Sequence, residues 1–159
     1  MTRSSRPLMH NASYHVITRG IHRDDIFLCD EDFRKYLFYL WKYKTKYTAN
    51  IYAYCLMSNH VHLLVDPEAP LYLRKIMHGL NLSYASYFNA KYNKCGHLWQ
   101  NRYKSFIVQK DEYLLNAISY IEYNPVRAKI CTRGEDYHWS SYRSRVFGEN
   151  NKVLDSFKY

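Results

Sequence analysis

Along this chain the spacing of apolar residues changes several times, and each change marks an element. Residues 14–19 (YHVITR) predict a first strand. Over 30–47, DEDFRKYLFYLWKYKTKY places Phe33, Tyr36, Leu37, Leu40 and Trp41 on one stripe at helical spacing. Asp30 is placed to cap that helix; acids fill its first turn and lysines its last, as the macrodipole favours. Residues 50–56 and 60–66 predict two strands joined by a short turn at Ser58-Asn59. From about 70 to 92 a second helix gathers Leu73, Ile76, Met77, Leu80, Tyr84, Tyr87 and Phe88 on one face. The connection NKCGHLWQNR leads to a strand over 105–109 (SFIVQ). A third helix runs from about 111 to 123 and stops before Pro125, because the residue preceding a proline disfavours helical geometry.

The order β-α-β-β-α-β-α predicts an α+β fold. Its first six elements match the ferredoxin-like βαββαβ arrangement, an antiparallel four-stranded sheet with two helices on one face; the third helix is additional and C-terminal. No repeat, low-complexity segment or linker interrupts the chain. One domain over 1–159 is therefore expected, with a short C-terminal tail from about 135.

Composition narrows the partners. With 159 residues, 47% of them hydrophobic, the chain can build a real core. No apolar run approaches the ~20 residues of a membrane span. The start, MTRSSRPLMHNASYH, lacks the apolar segment of a signal peptide, which predicts a cytoplasmic protein. The four cysteines are far apart and form no CxxC pair, which argues for reduced thiols rather than a zinc knuckle. The net charge of +9 points to a polyanion, and many of the 18 tyrosines stand among lysines and arginines, as in WKYKTKY and NRYKSF. Aromatic faces beside cations suit unpaired bases, so nucleic acid is the leading partner.

One short motif carries candidate chemistry. In SNHVHLLV (58–65), strand alternation puts Val61, Leu63 and Val65 toward the helices, with His60, His62 and Leu64 on the other face. The two histidine Cα atoms would be about 6.6 Å apart, close enough for both imidazoles to meet one ion. Eight histidines give roughly 0.4 such pairs by chance, so placement rather than the bare motif gives it weight. On the third helix, Leu114, Leu115, Ile118 and Ile121 make the apolar stripe, while Tyr113, Ala117, Tyr120 and Asn124 line another. Tyr120 and Asn124 are one turn apart, and the Asn124 amide oxygen would complete a His-His-Asn metal site.

The segments SNHVHLL (58–64), GHLWQNRYKSFIV (96–108), YLLNAISYIEYNPVRAKI (113–130) and YHWSSYRS (137–144) together resemble the single-tyrosine HUH transposases of bacterial insertion sequences. The resemblance is strongest to the REP-associated tyrosine transposases and runs from about Tyr14 to Arg143. It implies an enzyme that nicks and rejoins single-stranded DNA, often beside a hairpin, through a 5′-phosphotyrosine and a divalent ion, Mg²⁺ or Mn²⁺. It also implies that His60 and His62 are the HUH pair and Tyr120 the nucleophile. Asn124 stands where many relatives have glutamine as third ligand, one methylene shorter. Tyr123 and Tyr113 are the rival tyrosines. Arg102, Tyr103, Lys104, Arg127 and Lys129 flank this site and are the expected DNA contacts. Relatives of this kind act as homodimers or as monomers. The competing expectation, from a different class, is a non-catalytic single-stranded DNA or RNA-binding module on the same fold.

Overall fold

The strands β1 (Ser13–Arg19), β2 (Ala49–Leu56), β3 (His60–Pro67) and β4 (Lys104–Val108) and the helices α1 (Asp30–Lys46) and α2 (Pro70–Tyr92) follow one another in the expected order. They are seen in a computed structural model that describes residues 5–6, 8–109 and 112–157. The expected helix start at residue 111 and both ends of the expected 1–159 domain lie outside the described residues. All neighbouring strands are antiparallel, in the order β2-β3-β1-β4, which is the split βαβ topology.

Alternation decides what each face carries. Val61, Leu63 and Val65 of β3, with Tyr14 and Val16 of β1, pack under Tyr36 and Leu40 of α1 and Leu73, Met77, Leu80, Tyr84 and Phe88 of α2. Each fully buried side chain of this kind stabilises the fold by about 1.5–3 kcal/mol. The opposite face is only partly covered. There α3 (Glu112–Glu122) lays Leu114, Ile118 and Ile121 over Ala53 and Cys55 of β2 and Leu64 of β3. The β1–β4 side of that face stays open, and Phe106 of β4 is exposed on it.

Three local expectations are corrected. Asp30 is the first residue of α1, not its cap; Cys29 holds the N-cap position without a side-chain bond. The reaching-back role falls to Asp32, whose buried carboxylate accepts from Leu28 N and from Tyr87, Lys91 and Tyr92 at the end of α2. Burial opposes its charge, but these donors outweigh that cost and hold the carboxyl at about 2. Leu115 is 42% exposed, whereas Glu122, two turns further on, is buried and accepts from Ser141 and Arg145. Trp41 lies at the edge of the α1 stripe and is exposed rather than in the core.

The C-terminal segment closes the outer edge of the sheet. Residues 139–141 run beside β2, with Leu56 N donating to the Trp139 carbonyl and Ser141 N to the Tyr54 carbonyl. Further on, the Asp155 carboxylate accepts from Ile51 N and from the buried Lys44 ammonium. A bare strand edge invites pairing with other chains, and these bonds occupy it. Among the described residues no helix is long and apolar enough to cross a membrane.

Candidate active site

The two-residue period of β3 brings His60 and His62 to the partly covered face, with ring centroids 5.1 Å apart. Their remaining nitrogens are organised by neighbours. His60 Nδ1 lies 2.7 Å from Asn59 Oδ1 and donates to it. His62 Nδ1 lies 2.9 Å from His15 Nε2, and His62 Nε2 lies 2.9 Å from the Asn124 amide. With both Nδ1 atoms acting as donors, each ring keeps its lone pair on Nε2. That is the arrangement in which imidazoles bind metals, the second nitrogen being held by a neighbour.

The charge state agrees. Burial pushes His62 down to about 3, helped by the positive charges of its neighbours, and pushes His15 down to about 4. Burial, with the facing Arg19, lowers His60 as well. Neutral imidazole is the form that coordinates a cation. Among the described residues no three His, Cys, Asp or Glu side chains converge as a metal site, so an N, N, O set depends on the Asn124 amide. Turning that amide end for end sets its oxygen beside the His62 lone pair. The residues present therefore fit a divalent ion held by His60, His62 and Asn124.

Asn124 reaches this position by a route the periodicity did not foresee. α3 ends at Glu122, and Asn124 opens a separate short helix, α4 (Asn124–Arg127). Pro125 has no N–H to continue the ladder, so the helix breaks at Tyr123 and restarts with the proline in its first turn. The Tyr120 carbonyl accepts instead from the Arg127 guanidinium, which lies 3.9 Å over the Tyr120 ring. That ring is half exposed and stands 5.8 Å from His15 and 6.3 Å from His62 between centroids. The rival Tyr123 turns its ring against Tyr142 at 5.6 Å, and Tyr113 is 63% exposed a further two turns back.

The expected DNA contacts separate into two groups. Lys104 is exposed on β4, opposite Ile17, and Arg127 and Lys129 are exposed on α4 and the turn after it. Arg102 is exposed just before β4. Tyr103 differs: it is 8% exposed and belongs to the core, and its ring is covered by Arg6 at 3.7 Å. It offers no face to a base. His15, by contrast, was not singled out from the sequence. The signal was present, since alternation in YHVITR puts His15 and Arg19 on the face opposite Tyr14 and Val16. Only the β1–β3 register shows that these two residues flank the histidine pair.

Two solved structures share this architecture. One, of a REP-associated tyrosine transposase bound to a REP hairpin, superposes with a TM-score of 0.69 at 16% identity, covering 99% of this chain and 93% of that one. The other, a Deinococcus radiodurans protein described as a transposase, gives 0.52 at 20% identity, covering 86% and 98%. At these identities the likeness defines the fold, that of the small tyrosine transposases. Residues 8–124 match the model of the IS200-like transposases, and the chain belongs to that family. A Haemophilus influenzae protein described as a REP-associated tyrosine transposase is 30% identical over 108 residues. That match spans 61% of this chain and 61% of the relative.

Proposed function

We propose that the protein is an HUH-type DNA endonuclease and strand transferase that nicks and rejoins single-stranded DNA near hairpins, with Tyr120 as nucleophile. The observation that carries this reading is the convergence of the Tyr120 ring, the His60–His62 pair and the Asn124 amide on the partly covered face of the sheet.

The Tyr120 oxygen attacks the phosphorus of the cut phosphodiester. An O–P bond forms to the 5′ side as the bond to the 3′ oxygen breaks. The phenolic proton is lost and the leaving 3′ oxygen gains one, so the products are a 5′-phosphotyrosine and a free 3′-hydroxyl. No outside energy source is needed, because a later 3′-hydroxyl reverses the same exchange. A phenol with pKa near 10 is only about 0.1% ionised at neutral pH, so the attack needs electrostatic help. Arg127 supplies a fixed positive charge against the Tyr120 ring. A divalent ion held by His60, His62 and Asn124 would polarise the scissile phosphate. Nitrogen ligands suit Mn²⁺ better than Mg²⁺. His15 holds the ring of His62, and Phe106, exposed beside His15, offers a stacking face for an unpaired base. The site of action is the cytoplasm, where such DNA is reached.

The test is incubation of a labelled oligonucleotide, single-stranded beside a hairpin, with the protein in Mn²⁺, in Mg²⁺ and in chelator. Cleavage that requires the ion supports the reading. Binding without cutting under every ion would favour the non-catalytic module instead.

A further inference from the structure

Away from the histidines, two recesses adjoin one another, with Gln100, Asn101 and Arg102 lining both. The larger, about 800 Å³, lies between α2 and the connection before β4; Arg6, Arg74, Arg102, Asn81, Leu82 and Trp99 are among its walls. The smaller, about 160 Å³, lies at the β1–β4 end and shares Arg102 with the first, with Thr18, Arg19 and Lys104 opposite. Among the described residues no aspartate or glutamate lines either recess, although the chain has 14 acids. Arg6 donates to the Tyr103 carbonyl, and among the described residues no ion pair joins Arg6, Arg74 or Arg102 to an acid. Burial holds Arg6 below its ordinary value, and the charges of Arg102 and Arg74 act in the same direction.

Two further features point to a ligand that is more than a phosphate. Leu82 leaves 59% of its surface exposed and, with Met77, Ala85 and Trp99, gives the larger recess an apolar strip beside its arginines and amides. Two buried polar atoms also lack hydrogen-bond partners: Asn81 Oδ1 belongs to a residue lining the larger recess, Thr18 Oγ1 to one lining the smaller. Native proteins rarely leave such atoms unsatisfied.

We propose that the two recesses form one track for the unpaired DNA segment that adjoins the cut phosphodiester. The inference rests on the DNA-cutting reading above and adds the path of the strand. Phosphates lie along Arg74, Arg102 and Lys104, and bases turn toward Leu82 and Trp99. The track has a direction, because Arg19 at its far end stands across from His60 in the β1–β3 register. A strand leaving the larger recess past Arg102 is thus handed to the histidine face around the end of β4. Unpaired bases match an apolar wall, whereas a duplex stacks its bases inside and presents only its backbone and grooves.

The test compares, by fluorescence anisotropy, a short strand spanning only the cut position with the same strand extended by about eight unpaired nucleotides on either side. A third probe anneals the extension to its complement. One of the two extensions should tighten wild-type binding at least about tenfold, as a few added phosphate contacts do. The double variant Arg74→Ser/Leu82→Ser should bring the extended-to-short ratio close to one, and its salt slope should flatten by about 0.7 for the lost arginine contact. Both side chains are exposed on α2, so the helix survives their loss. An unchanged ratio in the variant would overturn the track, as would a wild-type protein that cuts the short strand yet gains nothing from either extension; both leave the DNA-cutting reading standing. A gain that persists with the annealed extension would overturn the single-stranded occupant. Failure of the wild type to bind any of the DNAs would overturn both readings together.

Discussion

The imidazoles of His15, His60 and His62 are tuned to stay neutral, and that has a measurable cost in acid. In the unfolded chain a histidine titrates near 6.5, whereas folded His62 is held at about 3. Below pH 6.5 the unfolded chain therefore takes up a proton that the folded chain refuses, and stability falls as pH drops toward 3. At pH 5 the loss from His62 is on the order of 2 kcal/mol. Chemical denaturation at pH 7 and pH 5 should show it, and His62→Gln should flatten the dependence; an equally steep fall in the variant would place the effect elsewhere. As the hydrogen-bond partner of His62 Nδ1, His15 is expected to act through that ring. His15→Ala should weaken Mn²⁺ binding, read by calorimetry or by the Mn²⁺ paramagnetic signal, by about 10–100-fold. His15→Gln, which can still accept from Nδ1, should recover part of that. Equal affinity in the Ala variant would reduce His15 to a packing residue.

At the scale of elements, the site exists because α3 is tied down at its end and broken at the right residue. Glu122 is buried and holds Ser141 and Arg145, fixing the tyrosine-bearing helix to the C-terminal segment. Glu122→Ala should cost about 3–5 kcal/mol in denaturant unfolding, because it strands a partly buried guanidinium; a loss under 1 kcal/mol would show that the tail does not anchor α3. The sequence pattern could not reveal this tie. A glutamate at a helix end reads as solvated, and its partners lie 19 and 23 residues away. Strand parity, by contrast, was legible, since Val61, Leu63 and Val65 against His60 and His62 follow from the pleat alone. The helix stripes were legible only at their centres. Leu115 and Trp41 sit at stripe margins, where a rotation of the helix decides burial, and that rotation is set by partners distant in the chain. Tyr103 likewise reads as a surface aromatic between Arg102 and Lys104, and only folding shows its ring under Arg6.

The whole molecule is a cationic body, +9 overall, with one chemically organised face and one cation-lined track. Affinity for single-stranded DNA should therefore fall steeply with salt, with a log–log slope of about −0.7 per phosphate contact. Titrations across several salt concentrations check this, and affinity indifferent to salt would remove the electrostatic part of the account. The paired imidazoles, the amide and the overlying cation acquire a common purpose only if Tyr120 becomes covalently joined to DNA. The most direct measurement is to trap the protein–DNA adduct on a hairpin-flanked oligonucleotide, digest both components and locate the nucleotide-bearing peptide by mass spectrometry. The added mass is expected on Tyr120 alone, with no adduct from Tyr120→Phe. A modified Tyr113 or Tyr123, or an adduct that survives in Tyr120→Phe, would contradict it.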